Sequence, residues 1–279
     1  MRYRSAVATQ PNTDMNQDRW FVDVDRGIFG VLDGMRGGGN GEVAAEFARG
    51  HILARMQLCM HRSLFSRLWS PSPSVETVRD ALVDVLKDVS GDLYRVGGEK
   101  FDGMGTTATV CCFVQQQGIV HIVVGNVGDS RAYLLRQEMP IEQLTLDDSS
   151  VRILFPYDDA AAFKMQKKLA SALRREDLTH EEWRIFHDRH LMTQVVGDGA
   201  HIHTRLSDVS VDSGDRILLC TDGIHDNLTD QEIGEIVRSA ETLEDGVSVL
   251  LRIAEERSWD GSLRSHHDDM TALLIAFDE

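Results

Sequence analysis

The chain has 279 residues, 42% of them hydrophobic, which is enough for a substantial core in one large domain or two small ones. Its 45 acidic against 29 basic residues leave a formal charge of −16, and without a Lys/Arg-rich stripe this argues against a nucleic-acid-binding surface. No run of about 18 apolar residues could span a bilayer, and the segment from Met1 to Ala8 lacks the apolar stretch of a secretory signal, so the sequence predicts a cytoplasmic protein that does not engage a membrane.

In chain order, residues 2–9, 18–24 and 27–32 read as strands. A glycine-rich turn from Gly34 to Gly41 then feeds a helix from Glu42 to about Met60. A second helix is predicted after Ser70-Pro71-Ser72-Pro73, with Ser72 as cap and Pro73 in the first turn. Its apolar residues Val75, Val78, Leu82, Val85, Leu86, Val89 and Leu93 recur at three- and four-residue steps, which gives one buried stripe. Four short strands follow at 106–115, 118–127, 130–135 and 141–145. The charged stretch 148–195 loses the strand pattern and is predicted to form a flap inserted over one edge of the sheet, with helices at Lys164–Arg175 and Thr179–His187. Strands return at 201–211 and 215–221, helices follow at about 229–240 and 242–257, and Met270–Phe277 closes the chain as a strand. This order predicts a single α+β domain over residues 1–279, a four-layer α-β-β-α sandwich of two antiparallel sheets flanked by helix pairs. Cys59, Cys111, Cys112 and Cys220 show no C-x-x-C spacing and lie in apolar runs, so they read as core thiols and not as disulfides.

Three distant segments end an apolar run near an aspartate: Ile28–Gly34 with Asp33, Arg216–Gly223 with Asp222, and His267–Ile275 with Asp268. Strand ends can hold carboxylates against each other, and such a group repels itself unless cations lie between its members. Oxygen donors with little Cys or His favour Mg²⁺ or Mn²⁺ over zinc. Two other patterns are set aside. Gly39-Asn40-Gly41-Glu42-Val43-Ala44 fits a dinucleotide loop, but no second strand follows to build the βαβ unit. Asp23-Val24-Asp25 resembles a haloacid-dehalogenase-type phosphatase motif but lies in a predicted hairpin. Of the adjacent His266 and His267, at most one can face the aspartates, because neighbours on a strand point opposite ways. His201 and His203 share a strand face without a third ligand and read as surface.

Seven pieces stand in one order: Asn16-Gln17-Asp18, Leu32-Asp33-Gly34-Met35, Gly105-Thr106-Thr107, Val127-Gly128-Asp129-Ser130-Arg131, Leu144-Thr145 with Asp147-Asp148-Ser149, Cys220-Thr221-Asp222-Gly223-Ile224, and Asp268-Asp269-Met270-Thr271. In this order and spacing the whole chain resembles the metal-dependent Ser/Thr protein phosphatases of type 2C, and Met35 after Asp-Gly resembles their bacterial branch. The resemblance implies hydrolysis of phosphoserine and phosphothreonine on proteins by a metal-activated water, using two Mn²⁺ or Mg²⁺ ions. It makes Asp33 the bridging ligand, Gly34 a carbonyl ligand, Asp222 and Asp268 ligands of the second ion, and Asp18 a contact through water. Asp129 would hold, with Asp222, a weaker third ion, while Thr106 and Ser130-Arg131 would shape the sheet beneath. The implied partner is a phosphoprotein substrate of a Ser/Thr kinase, met by a monomer. No C-x₅-R phosphate loop is present, consistent with chemistry that needs no covalent nucleophile.

Departures from the pattern are equally specific. Many relatives carry a phosphate-clamping arginine five residues before the position of Asp18, where this chain has Thr13, leaving Arg4, Arg19 and Arg36 as substitutes. Gln17 replaces a frequent glutamate, and Gly34–Gly41 departs from the usual Gly-Gly-His form. Thr13 motivates the alternative of a pseudophosphatase, a regulatory phosphoprotein-binding module with weak turnover.

Overall fold

The computed structural model describes residues 2–12, 15–35, 40–60, 73–97 and 104–278. One sheet has the strand order β1-β10-β9-β6-β7, formed by β1 (Arg2–Gln10), β6 (Arg131–Leu135), β7 (Glu142–Gln143), β9 (Arg216–Cys220) and β10 (Met270–Asp278). The other has the order β2-β3-β4-β5-β8, from β2 (Arg19–Asp23), β3 (Ile28–Leu32), β4 (Ala108–Gln116), β5 (Ile119–Val127) and β8 (Arg205–Val211). Every strand pairing is antiparallel.

Two-residue periodicity divides the apolar side chains between the two faces of each sheet. In β3, Phe29 and Val31 face the space between the sheets, while Ile28 and Leu32 face outward to helices α1 (Gly41–Cys59) and α2 (Val75–Gly97). In β9 and β10, Ile217, Leu219, Leu273, Ile275 and Phe277 turn to the inter-sheet core, while Leu218, Cys220, Ala272 and Leu274 turn to helices α7 (Asp230–Ser239) and α8 (Leu243–Ser258). The result is the predicted α-β-β-α sandwich. Its inner layer is fixed by an aromatic cluster in which Phe113 lies 4.9 Å from Tyr3 and from Phe29, and 5.0 Å from Phe277, ring centre to ring centre.

The stretch between β7 and β8 carries α3 (Ser150–Leu154), α4 (Asp159–Ser171), a single 3-10 turn at Arg175–Asp177, and α5 (His180–His187). It has a small core of its own around Leu146, Leu169, Leu178 and Phe186. Helix α4 starts five residues before the predicted Lys164, because Asp158 caps it by accepting the Ala161 N–H. Helix α5 keeps its predicted start through the reciprocal bonds of Thr179 and Glu182. Helices α3 and α6 (Asp222–His225) were not foreseen, since four or five residues are too few to show a 3.6-residue period.

Three smaller expectations are corrected. Ser74 accepts the Thr77 N–H at the start of α2, while Ser72 lies outside the described residues. Strand β4 begins at Ala108, because Thr106 makes only isolated bridges to Gly34 and Val196. Cys59 is exposed at the end of α1, whereas Cys111, Cys112 and Cys220 are buried free thiols as expected.

Candidate metal centre

Asp18 immediately precedes β2, Asp33 follows β3, Asp129 lies between β5 and β6, Asp222 opens α6 just after β9, and Asp268 precedes β10. The registers Arg19↔Leu32, Ala108↔Val127, Arg131↔Cys220 and Ala272↔Cys220 place all five at the same end of the two sheets. The three segments singled out by their terminal aspartates thus converge, with Asp18 and Asp129 completing the group.

Backbone interactions hold these residues while leaving carboxylate oxygens free. The Asp33 N–H donates to Thr107 Oγ1 at 2.9 Å, and its carbonyl accepts from Thr106 Oγ1 and from the Thr107 N–H, each at 2.8 Å. Thr107 Oγ1 in turn meets Ser130 Oγ at 2.7 Å, so the hydroxyls of Thr106, Thr107 and Ser130 tie the Asp33 turn to the start of β6. Gly34 passes so close to the first residue of α1 that a Cβ on it would stand 2.2 Å from the Gly41 carbonyl oxygen. Only glycine permits that crossing. Gly223 makes a second one, its position for a Cβ lying 2.1 Å from the Asp269 carbonyl oxygen, which brings the start of α6 against the approach to β10.

Asp269, the neighbour of the expected ligand Asp268, is a clamp. Its two oxygens accept the N–H groups of Asn12 and Gln17, each at 2.7 Å, and so fasten the loop that delivers Asp18. Thr221 Oγ1 donates to Asp18 Oδ2 at 2.8 Å, joining one sheet to the other across the site. Asn227 binds the carbonyls of Gly223 and His266, each at 2.8 Å, and accepts the His266 N–H at 2.9 Å, so α6 and the segment before β10 are stapled together.

The electrostatics are those of a crowded acidic site. Burial, reinforced by Asp18, Asp222, Asp268 and Asp129, holds the Asp33 carboxyl well above the usual carboxylate range. Asp129 is pushed up by burial and then by Asp222. Asp18 is also raised by burial, against the opposing hydroxyl bonds. For Asp222 burial acts upward but is outweighed by His266, and the net direction is down. None of the five carboxylates makes an ion pair with a Lys or Arg among the described residues; only His266 approaches, 3.7 Å from Asp222 and 3.6 Å from Asp268. Asp18 Oδ1, Asp129 Oδ1 and Asp222 Oδ1 are buried without any hydrogen-bond partner. A buried anionic oxygen with neither donor nor counter-cation is strongly disfavoured, and divalent cations on these oxygens remove that cost. The donor set is predominantly carboxylate and carbonyl oxygen, which suits Mg²⁺ or Mn²⁺.

A profile for protein phosphatase 2C matches residues 8–265, taking in Asp18, Asp33, Asp129 and Asp222 and ending just short of Asp268. The chain belongs to the protein phosphatase 2C family. Within that family it is 27% identical to the serine/threonine phosphatase Stp of Listeria monocytogenes over 253 residues, covering 89% of this chain and 83% of that protein. It is 30% identical to the protein phosphatase PhpP of Streptococcus pneumoniae over 207 residues, covering 74% of this chain and 72% of that protein. Its fold matches the catalytic domain of the serine/threonine protein phosphatase PstP, solved in complex with two manganese ions, with a TM-score of 0.67, 22% identity and 99% of each chain covered.

The phosphate-clamp candidates fare differently from the family aspartates. Arg4 is not beside the centre: it faces Ala276 on β10, six residues beyond the Gln10–Met270 pair, or about 20 Å along the strand, and it is bound to Asp278. Arg19 is next to Asp18, but its Nε is engaged by Glu46 and its Nη1 by the carbonyls of Asn16 and Asp18. Thr13 and Arg36 lie outside the described residues.

Several residues that serve the site carry no signal of their own in the sequence. Asp226 is buried, and although burial acts upward, Arg189 at 3.0 Å and His225 hold its carboxyl well below the usual range. Arg264 is buried and makes no ion pair among the described residues. It donates to the carbonyls of Leu169, Ala170 and Ala172 at the end of α4 and to those of His225 and Leu228 around α6, so one guanidinium ties the inserted helices to the centre. His266 and His267 do point apart: His266 faces the carboxylates, and His267 packs on Trp259 with ring centres 4.0 Å apart. His201 and His203 are exposed, as expected.

Proposed function

We propose that the chain is a metal-dependent protein phosphatase that hydrolyses phosphoserine and phosphothreonine on proteins. The observation that carries this reading is the set of three buried, unpartnered carboxylate oxygens on Asp18, Asp129 and Asp222 at one end of a phosphatase 2C sandwich. In this reading Asp33, the Gly34 carbonyl, Asp222 and Asp268 hold two Mn²⁺ or Mg²⁺ ions, Asp18 acts through water, and Asp129 serves a weaker third ion. Such ions supply charge neutralisation of the phosphoryl oxygens and acidification of the attacking water.

The chain's own residues contribute rigidity. Thr106 and Thr107 fix the Asp33 backbone, Asp269 holds the backbone N–H groups of Asn12 and Gln17 ahead of Asp18, and Thr221 sets which Asp18 oxygen stays free. Positioning of this kind is most of what phosphoryl transfer asks of a protein, because little covalent chemistry falls to its side chains. The reading takes residues 1–279 as one domain with a flap at about 148–195, acting as a monomer opposite a Ser/Thr kinase in the cytoplasm. Free buried thiols at Cys111, Cys112 and Cys220 accord with a reducing compartment, and no helix among the described residues is long and apolar enough to cross a membrane. A pseudophosphatase, a regulatory phosphoprotein-binding module with weak turnover, is the weaker reading, because every expected metal-ligand position keeps its aspartate or glycine.

The test is hydrolysis of p-nitrophenyl phosphate and of a phosphothreonine peptide with Mn²⁺ and with chelator. Wild type should turn over only with metal, and Asp222→Asn should lose about 10²-fold or more, the usual scale for removing electrostatic stabilisation from a catalytic site. Turnover that survives both chelator and Asp222→Asn would refute the assignment.

A further inference from the structure

Among the described residues two imidazoles, His225 and His266, bring a buried, unpartnered nitrogen to the centre, and His266 is the one that faces both Asp222 and Asp268. His266 Nε2 lies 3.7 Å from Asp222 Oδ2 and 3.6 Å from Asp268 Oδ2, both too long for a hydrogen bond, and Nε2 is buried with no hydrogen-bond partner. Asp222, Asp226 and His266 offer ligand atoms that all lie within 4.8 Å of one another. Asp222 Oδ1 is also unpartnered, on a side chain only 9% exposed. The separations approach the spacing of two ligands on one first-row ion, roughly 3–3.5 Å for bonds of about 2.1 Å.

The ring is held where it is. Asn227 fixes the His266 backbone through its N–H and carbonyl and reaches the Gly223 carbonyl as well, so the segments bearing Asp222 and His266 keep their relative position. His190, beyond α5, stacks on the imidazole at 6.1 Å between ring centres with 20° between planes. Asp226 is oriented from behind by Arg189, whose Nε lies 3.0 Å from Asp226 Oδ2.

We propose that His266 Nε2 is a ligand to the ion held by Asp222, with Asp226 as the third side chain, which makes this position of the centre selective for a first-row transition ion over Mg²⁺. The inference rests on the metal-dependent reading given above and deepens it. Imidazole nitrogen favours first-row transition ions, with Mn²⁺ the weakest binder of that series, whereas Mg²⁺ takes oxygen ligands and near-ideal octahedral geometry, so a nitrogen ligand shifts the preference away from Mg²⁺. A histidine that acted only as a countercharge to Asp222 and Asp268 would produce no such selectivity.

The experiment uses the metal-stripped full chain, saturated with Mg²⁺ and then given less than one equivalent of Mn²⁺, with pulsed EPR reading ¹⁴N coupling to the manganese. The expected result is ¹⁴N coupling in wild type, its absence in His266→Gln, and a Mn²⁺-to-Mg²⁺ affinity ratio lower in that variant by about tenfold or more. Because wild type alone reports the coupling, the proposal stays testable even if the variant folds poorly. Bound Mn²⁺ without ¹⁴N coupling in wild type overturns it and leaves the metal-dependent reading standing. Coupling that persists in His266→Gln also overturns it, and assigns the nitrogen to His225, whose Nδ1 lies 3.6 Å from Asp226. Mn²⁺ that binds only in the absence of Mg²⁺ overturns the selectivity, and failure to bind Mn²⁺ in either condition overturns both readings.

Discussion

Asp147 grips the guanidinium of Arg131 with both oxygens: Nη2 meets Oδ2 at 2.6 Å and Nε meets Oδ1 and Oδ2 at 3.0 Å each, with both side chains more than nine-tenths buried. Arg131 also donates to the Tyr133 hydroxyl, which passes its own hydrogen to Asp230 at the start of α7. The network ties the strand after Asp129 to the helix layer behind it. Removing one member strands the others in a dry interior. Arg131→Ala is therefore expected to destabilise the fold by roughly 3–5 kcal/mol, the scale for breaking a buried pair from one side. Urea unfolding checks it; a loss under about 1 kcal/mol would show that the pair is not a structural element.

Gly223 carries a second expectation. A methyl group there would meet the Asp269 carbonyl oxygen at 2.1 Å, so backbone has to move, and the movement lies between Asp222 and Asp268. Gly223→Ala should cost about 1–3 kcal/mol by overpacking. It should also lower kcat by more than that loss of folded protein explains. Circular dichroism beside p-nitrophenyl phosphate turnover separates the two effects, and wild-type kcat in the variant would contradict the close crossing.

How much of this was legible in the sequence depends on the range over which each cause acts. The apolar runs Ile217–Cys220 and Leu273–Phe277 are local, and they placed both strands; which side chains turn to the inter-sheet core and which to the helices was not legible, because such runs are apolar on both faces. The aspartates at strand ends were legible for the same reason: an apolar run names the strand, and its end names the site. Arg264 was not legible, because its partners are carbonyls 36 to 95 residues away, and carbonyls have no sequence signature. Asp269 was visible only as part of a motif; its task of holding the Asn12–Gln17 loop depends on a chain crossing that periodicity does not encode. His266 and His267 diverge as expected, but not through strand alternation, since both precede β10 in irregular backbone, and nothing local in the sequence chose which turned inward. That choice is made by Asn227, which holds the His266 backbone from both sides.

Asp129 should behave differently from Asp222. Its Oδ1 is buried and unpartnered, and after burial the Asp222 charge is the largest influence on it, yet it lies on the turn between β5 and β6, a different segment from the one that bears the expected bridging ligand Asp33. Asp129→Ala is expected to raise the Mn²⁺ concentration for half-maximal activity by about tenfold, while the rate at saturating metal stays within about threefold of wild type. A metal titration superimposable on wild type would remove the third ion from the scheme.

Thr13 is where the chain breaks its family's pattern, and the engagements of Arg4 and Arg19 sharpen what should happen there. Arg4 is bound to Asp278 at the far end of β1, out of reach of the centre, and Arg19 has its Nε on Glu46 and its Nη1 on two carbonyls, which leaves it only Nη2 for a phosphate. Thr13→Arg is then expected to lower KM for a small phosphoester, since a charge-assisted bidentate contact contributes about 1.5–3 kcal/mol, close to a factor of 10–100. The change in kcat should be small, because such a contact holds the ground state and the transition state alike. Arg36 supplies the opposite outcome: if it already clamps the phosphate, Thr13→Arg leaves KM unchanged or raises it, and Arg36→Ala raises KM in the wild-type background. Steady-state kinetics on the two variants with saturating Mn²⁺ decide between a vacant clamp and a relocated one.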